Sequence, residues 1–209
     1  MTNFFNKTDL TKNDAEKIIS ETLNKCDDGE LYLEDSKNET IILDDNKIKN
    51  STYSSNLGYG LRAVTGELVA YSHSNEISRN SLKQSSRNLN STLKSNKGIY
   101  NHEIPKTNKK FYDNINPIDE KTLQSKLKIL EEVNNYTRAK NPIVKQVTAS
   151  FSGEHKSIEI IRLGGETFSD FRPLVRFNVS VIVEKNGKRE TGVYGIGGRQ
   201  SYDEYLKNN

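Results

Sequence analysis

The alternation of apolar and polar residues is clearest in the last third of the chain. Residues 147–152 alternate apolar and hydroxyl side chains without a slip, which is typical of a strand with one buried face. A second strand is predicted over 157–162, and a third carries apolar residues at every other position. An Asn-Gly dipeptide, which fits a type I′ hairpin turn, then returns the chain through a fourth strand. The third strand, the turn and the fourth strand are carried by Phe177, Val179, Val181 and Val183, by Asn186-Gly187, and by residues 189–193.

Closely spaced turns divide the first half of the chain into short segments. Turn residues at 44–46 and 65–67 separate apolar segments that are too short for helices. This pattern predicts a meander of antiparallel strands. The predicted strands cover residues 31–33, 39–43, 47–53, 57–64 and 68–71.

Apolar residues at helical spacing predict three helices. In the first, Asn13 is positioned to cap the helix and Glu16 to reach back to it, as in a capping box. Pro117 suits the first turn of the third helix, where its missing N–H is not needed. Strands and helices together predict the α+β class, with mainly antiparallel sheets and helices packed on them. The three helices are predicted over residues 13–25, 76–93 and 117–139.

The domain organisation is predicted from a stretch without periodicity. Residues 96–116 show no apolar repeat, and a connection of this length is typical of a linker or a functional loop. We expect an amino-terminal α+β domain over 1–100, an irregular linker over 101–118 and a central α+β domain over 119–209. Residues 201–204 resemble a capping box that opens a helix shortly before residue 209, which indicates either a piece of a longer chain or a frayed terminus.

Composition and charge exclude several function classes. The 209 residues carry a formal net charge of +3 and a mean hydropathy of −0.80, with Lys and Arg scattered among Asp and Glu. A nucleic-acid partner is not expected, because such domains concentrate positive charge in a patch. No apolar segment is long enough to span a membrane, and residues 1–7 lack the apolar core of a signal peptide. A single cysteine, Cys26, fits a reducing compartment, so we expect a cytoplasmic protein.

The residues that usually carry catalysis are few and isolated. His102 begins a His-Glu pair, but Pro105 interrupts any helix there and no second histidine lies one turn on. His73 and His155 stand alone, and Cys26 has no histidine near it in the sequence. The sequence therefore predicts no catalytic residue and no metal ligand in this chain.

A glycine cluster at 192–198 precedes Arg199. Backbone donors beside an arginine could bind an anion, a peptide backbone or a carboxylate. No P-loop lysine follows, and the cluster does not open a βαβ unit, so the pattern favours a tight turn between a strand and a helix. Gly197, Gly198 and Arg199 are nevertheless candidate substrate-binding residues.

The segment 172–176 contains two arginines and a proline. Pro173 fixes the entry to a strand, so Arg176 is expected to point away from the face shared by Phe177 and Val179. Two interpretations remain open, namely solvated arginines at a strand start and recognition of a carboxylate. Arg176 is the fourth candidate substrate-binding residue.

Five segments of this sequence, taken in order, resemble TldD proteins, the zinc metallopeptidases of the TldD and PmbA (TldE) kind. Each motif is weak by itself, but the series is specific. The similarity extends over residues 31–206. The segments are residues 57–67, 147–153, 172–176, 186–190 and 197–199.

The resemblance implies a soluble bacterial or archaeal peptidase that cleaves unstructured or modified peptides as a TldD–TldE heterodimer. It also implies zinc held by a His-Glu-x-x-x-His helix and a further ligand downstream. The 209 residues contain no such motif, so zinc is expected in the full-length enzyme and not in this chain. The implied role of this part is to shape the substrate cleft and to contact a TldE/PmbA-like subunit or a second copy of itself.

A different function class remains open. The same residues could form a stand-alone peptide-binding or dimerisation module without catalysis. Continuation of the reading frame into a His-Glu-x-x-x-His segment would favour the enzyme fragment. Under either hypothesis the chain is expected to be inactive by itself.

Overall fold

The computed structural model describes residues 4–6, 8–93, 98–99 and 111–203. Six strands in this part form one antiparallel sheet with helices packed on it, so the predicted α+β class is confirmed. None of the described helices is both long and apolar enough to cross a bilayer. The elements are α1 Lys12–Leu23, β1 Asp28–Asp44, β2 Lys47–Thr65, β3 Leu68–Ser74, α2 Arg79–Leu93, α3 Leu123–Lys140, β4 Val144–Arg162, β5 Thr167–Lys185 and β6 Lys188–Gly198.

The strands are longer than the sequence predicted. The sheet order is β3-β2-β1-β4-β5-β6, and β1, β2 and β4 each run through a polar segment that was predicted to end a strand. The predicted breaks at 34–38, 54–56 and 153–156 are therefore wrong. Main-chain hydrogen bonds do not depend on side-chain polarity, so polar residues continue a strand where the ladder itself continues.

Three hairpin turns lie where the sequence predicted them. Asp45 and Asn46 have φ values of 49° and 60°, and Gly66 has a φ of 59°. Asn186 and Gly187 have φ values of 52° and 75°. Glycine, asparagine and aspartate tolerate this left-handed region best, which is why these positions end one strand and begin the next.

All three helices begin at residues other than those predicted, and α2 begins at Arg79 and not at residue 76. The hydroxyl of Thr11 accepts a hydrogen bond from the amide of Asp14 at 3.1 Å, and the Asp14 carboxylate accepts one from the Thr11 amide at 3.3 Å. Thr11 is thus the cap of α1, and Asn13 lies inside the first turn, because a Thr–Asp pair satisfies the same geometry two residues earlier. Thr122 caps α3, while Pro117 lies in a preceding turn.

The described chain forms two compact units, each assembled from three segments. In the first unit, α1 contacts α2 and α2 contacts β3, and the apolar residues predicted for α1 are buried. The largest buried side chains there include Leu23, Leu33, Leu61 and Leu82. The first unit comprises Met1–Ser36, Asn56–Phe111 and Ser157–Phe171, and the second comprises Lys37–Ser55, Tyr112–Lys156 and Arg172–Asn209.

The core of the second unit joins α3 to strand residues. Leu130 of α3 is fully buried with Ile41 and Val175 from the strands. Ring centroids of Phe151 and Tyr202 are 4.9 Å apart in an edge arrangement, which adds to simple burial. Helix α3 is thereby fixed over one face of these strands, and the candidate site lies in this unit.

Candidate functional site

Strand β6 lies at one end of the sheet order. Its register with β5 places Arg176 opposite Gly197 and Val175 opposite Gly198. The turn predicted for the glycine cluster is wrong, because Gly195, Gly197 and Gly198 all belong to the strand. Four of the seven residues at 192–198 are glycines, which are depleted in strands, so the sequence pattern did not indicate a strand there. Three of the four candidate residues are neighbours across the β5–β6 ladder.

The register also determines which backbone groups of β6 face outward. The residues that flank a two-residue hairpin turn form a hydrogen-bonded pair, which here is Lys185 with Lys188. Hydrogen-bonded and non-hydrogen-bonded pairs alternate along antiparallel strands. Val193, Gly195 and Gly197 therefore direct their N–H and C=O groups away from β5. An edge of this kind can accept an additional strand.

One face of β6 carries the guanidinium group of Arg176. Arg176 is exposed, as predicted, and its Nε donates to Asn178 Oδ1 at 2.8 Å. Asn178 is opposite Gly195, and a Cβ at position 195 would lie 2.6 Å from Asn178 Oδ1 and 3.6 Å from Arg176 Nη2. Glycine at 195 thus leaves space for the arginine side chain to lie across β6. In the described part of the chain, no carboxylate forms an ion pair with Arg176.

Gly197 and Arg199 have local structural contacts. A Cβ at Gly197 would clash with the carbonyl oxygen of Val175, so the close approach of the two strands requires glycine there. Arg199 follows the strand, and its Nη1 donates to the carbonyl of Pro173 at 3.4 Å. Its guanidinium carbon lies 5.5 Å from the ring centroid of Tyr112, within the range of a cation–π contact. Through these two contacts, Arg199 holds the end of β6 against Pro173 and Tyr112.

The opposite face of β6 borders an apolar groove between α3 and the strands. The groove has a volume of about 460 Å³. Tyr136 on α3 and Tyr194 on β6 are 63% and 56% exposed, so the groove opens to solvent between them. Sequence reasoning missed this groove because it combines a helix with strands that are distant along the chain. Its lining includes Val133, Tyr136, Phe177, Val179, Tyr194 and Ile196.

A buried lysine lies next to Tyr202, one of the residues that line the groove. The Nζ of Lys126, which is 1% exposed, donates to Glu39 Oε2 at 2.5 Å and to the carbonyl of Ile118 at 2.7 Å. The same Nζ lies 5.7 Å from the ring centroid of Tyr202, which lines the groove. Burial, and secondly the charge of Glu39, raise the pKa of Tyr202, so its phenol stays neutral.

The structure describes two of the three histidines and the single cysteine. His73 is exposed and stacks on Tyr71 with ring centroids 5.8 Å apart. His155 is buried inside β4, where a break between two strands was predicted at 153–156. His102 lies outside the described residues. Burial raises the pKa of the Cys26 thiol, which disfavours a reactive thiolate.

The described side chains that could ligate a metal ion are dispersed. Across 4–6, 8–93, 98–99 and 111–203, no three His, Cys, Asp or Glu side chains are grouped so that they could hold a metal ion.

Comparison with known families matches two adjoining domain types. Residues 29–91 match the model of "PmbA/TldA metallopeptidase domain 1", and residues 116–208 match that of the "PmbA/TldA metallopeptidase central domain". Together with the α+β fold, these matches define the class as domains of a metallopeptidase. The chain belongs to the PmbA/TldD metallopeptidase family.

Individual relatives support the same family. The chain is similar to the metalloprotease TldD homologue of Buchnera aphidicola, with 34% identity over 87% of this chain, and to that of Haemophilus influenzae, with 33% identity over 87% of this chain. It spans only 38% of the length of either relative.

Solved structures share the fold. TldE from Thermococcus kodakarensis matches with a TM-score of 0.65 and 12% identity, over 90% of this chain and 43% of that one. A Thermotoga maritima protein named a modulator of DNA gyrase matches with a TM-score of 0.70 and 11% identity, over 84% of this chain and 40% of that one.

Proposed function

We propose that this chain is the amino-terminal part of a TldD-type zinc metallopeptidase that cleaves unstructured or modified peptides. Family membership and the metalloprotease names of its relatives support this proposal. Within the enzyme, this part shapes the substrate cleft and contacts a partner subunit. We assign zinc and the hydrolytic residues to polypeptide other than the described residues, because the resemblance implies a His-Glu-x-x-x-His motif that the 209 residues do not contain.

The single observation that carries the proposed role is the outward edge of β6. Residues 191–198 of this strand carry no charged side chain, and the strand lies at the end of the sheet order. Natural proteins usually protect such an edge with charge, proline or a covering element. Pairing through main-chain groups binds an extended peptide with little dependence on its sequence. Arg176, Gly197, Gly198 and Arg199 lie along or beside this edge.

The domain organisation and partner follow from the same family. We assign 1–100 to the amino-terminal domain, 119–209 to the central domain and 101–118 to the linker between them, of which 101–110 lie outside the described residues. The limits of the two family matches, 29–91 and 116–208, support this division.

The partner is a TldE/PmbA-like subunit or a second copy, and the likeness to TldE supports that choice. The single cysteine supports a cytoplasmic location.

A stand-alone peptide-binding or dimerisation module is the second candidate. The same open edge favours it, because strand addition requires no catalytic residue. The two candidates differ in whether a His-Glu-x-x-x-His segment belongs to the same gene product. Purified chain that holds stoichiometric zinc by elemental analysis and cleaves casein-type peptides would contradict both candidates.

Peptide binding at β6 is tested with a proline at an outward position. In the 209-residue chain, Val193→Pro removes one outward N–H without removing a β5–β6 hydrogen bond. We expect binding of a fluorescent unstructured peptide, followed by anisotropy, to weaken at least about tenfold, since several main-chain hydrogen bonds depend on that register.

The matched control is Val69→Pro on β3, at the other end of the sheet order. Thr65 is opposite Leu68 across a two-residue turn, so the N–H of Val69 also faces outward. We expect Val69→Pro to leave binding unchanged. Absence of binding by the unsubstituted chain, or equal loss in the two variants, would overturn peptide binding at β6. In a full-length enzyme, an unchanged KM after substitution of Arg176 or Arg199 would remove these residues from the site.

A further inference from the structure

A peptide paired to β6 would expose its side chains alternately to two chemically different faces. Successive side chains of a strand point to opposite sides of the sheet. Peptide residues opposite Gly195 and Gly197 would lie on the Arg176 face. Those opposite Tyr194 and Ile196 would lie on the α3 face, beside the groove. This step rests on the proposed peptide binding at β6.

The Arg176 face offers a charge at a defined position. The guanidinium group lies across Gly195 and is held by Asn178, and Gly195 and Gly197 add no side chain between it and the edge. Adjacent strands are about 4.8 Å apart, so a carboxylate on a peptide residue opposite Gly195 can reach this guanidinium. A hydrogen bond between two charged groups is stronger than one between neutral groups.

The α3 face offers apolar surface at the flanking positions. Tyr194 and Ile196 on β6, with Tyr136 on α3, surround the mouth of the groove. The groove is large enough for apolar side chains from the residues on either side of the one opposite Gly195. Burial of each such side chain would displace water from the two tyrosines.

Charge identifies the occupant as an acidic segment and not as the β6 strand of a second copy. At one end of β6, Lys188 and Arg189 are accompanied by Glu190 and by Glu184, which pairs with Arg189. Arg199 follows the other end, and Arg176 is opposite Gly197 near it, where β6 carries no acidic side chain. Antiparallel pairing of two β6 strands would place the basic end of each copy against Gly198 and Arg199 of the other. Such pairing brings like charges together, whereas an acidic peptide is complementary to them.

We infer that the β6 edge selects extended peptide segments in which an acidic residue, opposite Gly195, lies between two apolar residues. Arg176 selects the acidic peptide residue, and the groove beside Tyr194 selects the two apolar residues that flank it. Main-chain pairing supplies binding, and these two faces fix the register of the peptide.

The inference is tested with unstructured nonapeptides that have Val-Glu-Val, Val-Gln-Val, Val-Lys-Val or Ser-Glu-Ser at their centre. We expect the 209-residue chain to bind the Val-Glu-Val peptide about tenfold more tightly than the Val-Lys-Val peptide, as a charge-assisted hydrogen bond allows. The Ser-Glu-Ser peptide should bind about tenfold more weakly than Val-Glu-Val, because apolar burial is lost. Arg176→Gln should abolish the preference for glutamate.

Arg189→Gln is the matched control, since it removes the same charge from the same face. Arg189 pairs with Glu184 at 2.7 Å near the hairpin turn, away from Gly195. Preference for glutamate should survive in this variant. Equal affinity for all four peptides, together with the loss caused by Val193→Pro, would overturn the inference and leave peptide binding at β6 intact. If Arg176→Gln and Arg189→Gln reduced the preference for glutamate equally, the preference would come from general electrostatic attraction. That result would also overturn the inference. No binding of any peptide would overturn the proposed function itself.

Discussion

The ammonium group of Lys126 lies 2.5 Å from a carboxylate oxygen of Glu39, although the two residues are 87 positions apart and Lys126 is only 1% exposed. Lys126 belongs to α3 and Glu39 to β1, so the pair ties the helix to the sheet beneath it. A buried charge is stable only when it is paired and hydrogen-bonded. The carbonyl of Ile118 supplies the second hydrogen bond, at 2.7 Å.

Removal of the lysine should be strongly destabilising. Lys126→Met leaves Glu39 without its partner, and breaking one side of a buried pair costs about 3–5 kcal/mol. Urea unfolding followed by circular dichroism gives the free energy of unfolding. The double variant Lys126→Met with Glu39→Leu should recover a large part of that loss, because no unpaired charge remains. Equal destabilisation of the single and double variants would show that the ion pair is not the cause.

The phenol oxygen of Tyr202 lies so close to Gly153 that it leaves no space for a side chain at position 153. A Cβ at Gly153 would lie 2.6 Å from that oxygen, so Gly153→Ala should destabilise the protein by about 1–3 kcal/mol, as overpacking does. The hydroxyl has no hydrogen-bond partner among the described residues, so Tyr202→Phe should change stability by less than about 1 kcal/mol.

The two substitutions combined test this contact directly. Removal of the oxygen makes space for the alanine methyl group, so the double variant should be more stable than Gly153→Ala alone. Thermal unfolding of the four proteins gives the coupling energy. A coupling energy of zero would show that the two side chains do not meet.

Cys26 should resist modification in the folded protein. Its side chain is buried, and burial, with a smaller contribution from the charge of Asp27, raises the pKa of the thiol. Only the thiolate reacts readily, so a thiol reagent at pH 8 should react at least about tenfold faster in urea than in native buffer. Equal rates under the two conditions would contradict the burial of Cys26.

Asp28 should make stability depend on acid pH. Burial by itself would raise the pKa of this carboxyl, but hydrogen bonds and charge from Arg62 and Arg162 outweigh it and lower the pKa. A lowered pKa in the folded state gives stability that is present above the unfolded value of about 3.9 and is lost as the pH falls through the folded value. The carboxyl is 33% exposed, so we expect a contribution of about 1 kcal/mol at neutral pH.

The comparison variant for this effect is Asp28→Asn, which cannot titrate. Between pH 5 and pH 3 the unsubstituted chain should lose more stability in urea unfolding than Asp28→Asn does. Parallel losses in the two proteins would assign the acid sensitivity to other carboxylates.

Local patterns in the sequence were sufficient for part of this architecture. Hairpin turns at Asn46, Gly66 and Asn186 were predicted because a left-handed backbone restricts the residue types that can occupy it. The outward direction of Arg176 followed from strand alternation, which depends only on main-chain geometry. Family membership was likewise evident from short motifs in order, and the comparisons confirmed it.

Strand lengths, the helix cap at Thr11 and the nature of β6 required the tertiary structure. A strand continues where a neighbouring strand offers hydrogen bonds, and β1 and β4 are neighbours in the sheet although they are distant in sequence. Glycine at 195 and 197 is compatible with a turn and with a strand, so these residues by themselves do not distinguish the two. Only the approach of Asn178 and Val175 explains why glycine stands there.

The candidate site divides in the same way. The sequence by itself determined which residues are candidates for peptide binding, because the chemistry of the guanidinium of Arg176 and of the glycines near Arg199 does not depend on the fold. Only the tertiary structure decided that Arg176 lies over Gly195 on one face of an edge strand and that Tyr136 and Tyr194 open a groove on the other. The physical reason is that a binding surface is formed by residues from separate elements, and sequence spacing does not record which elements pack together.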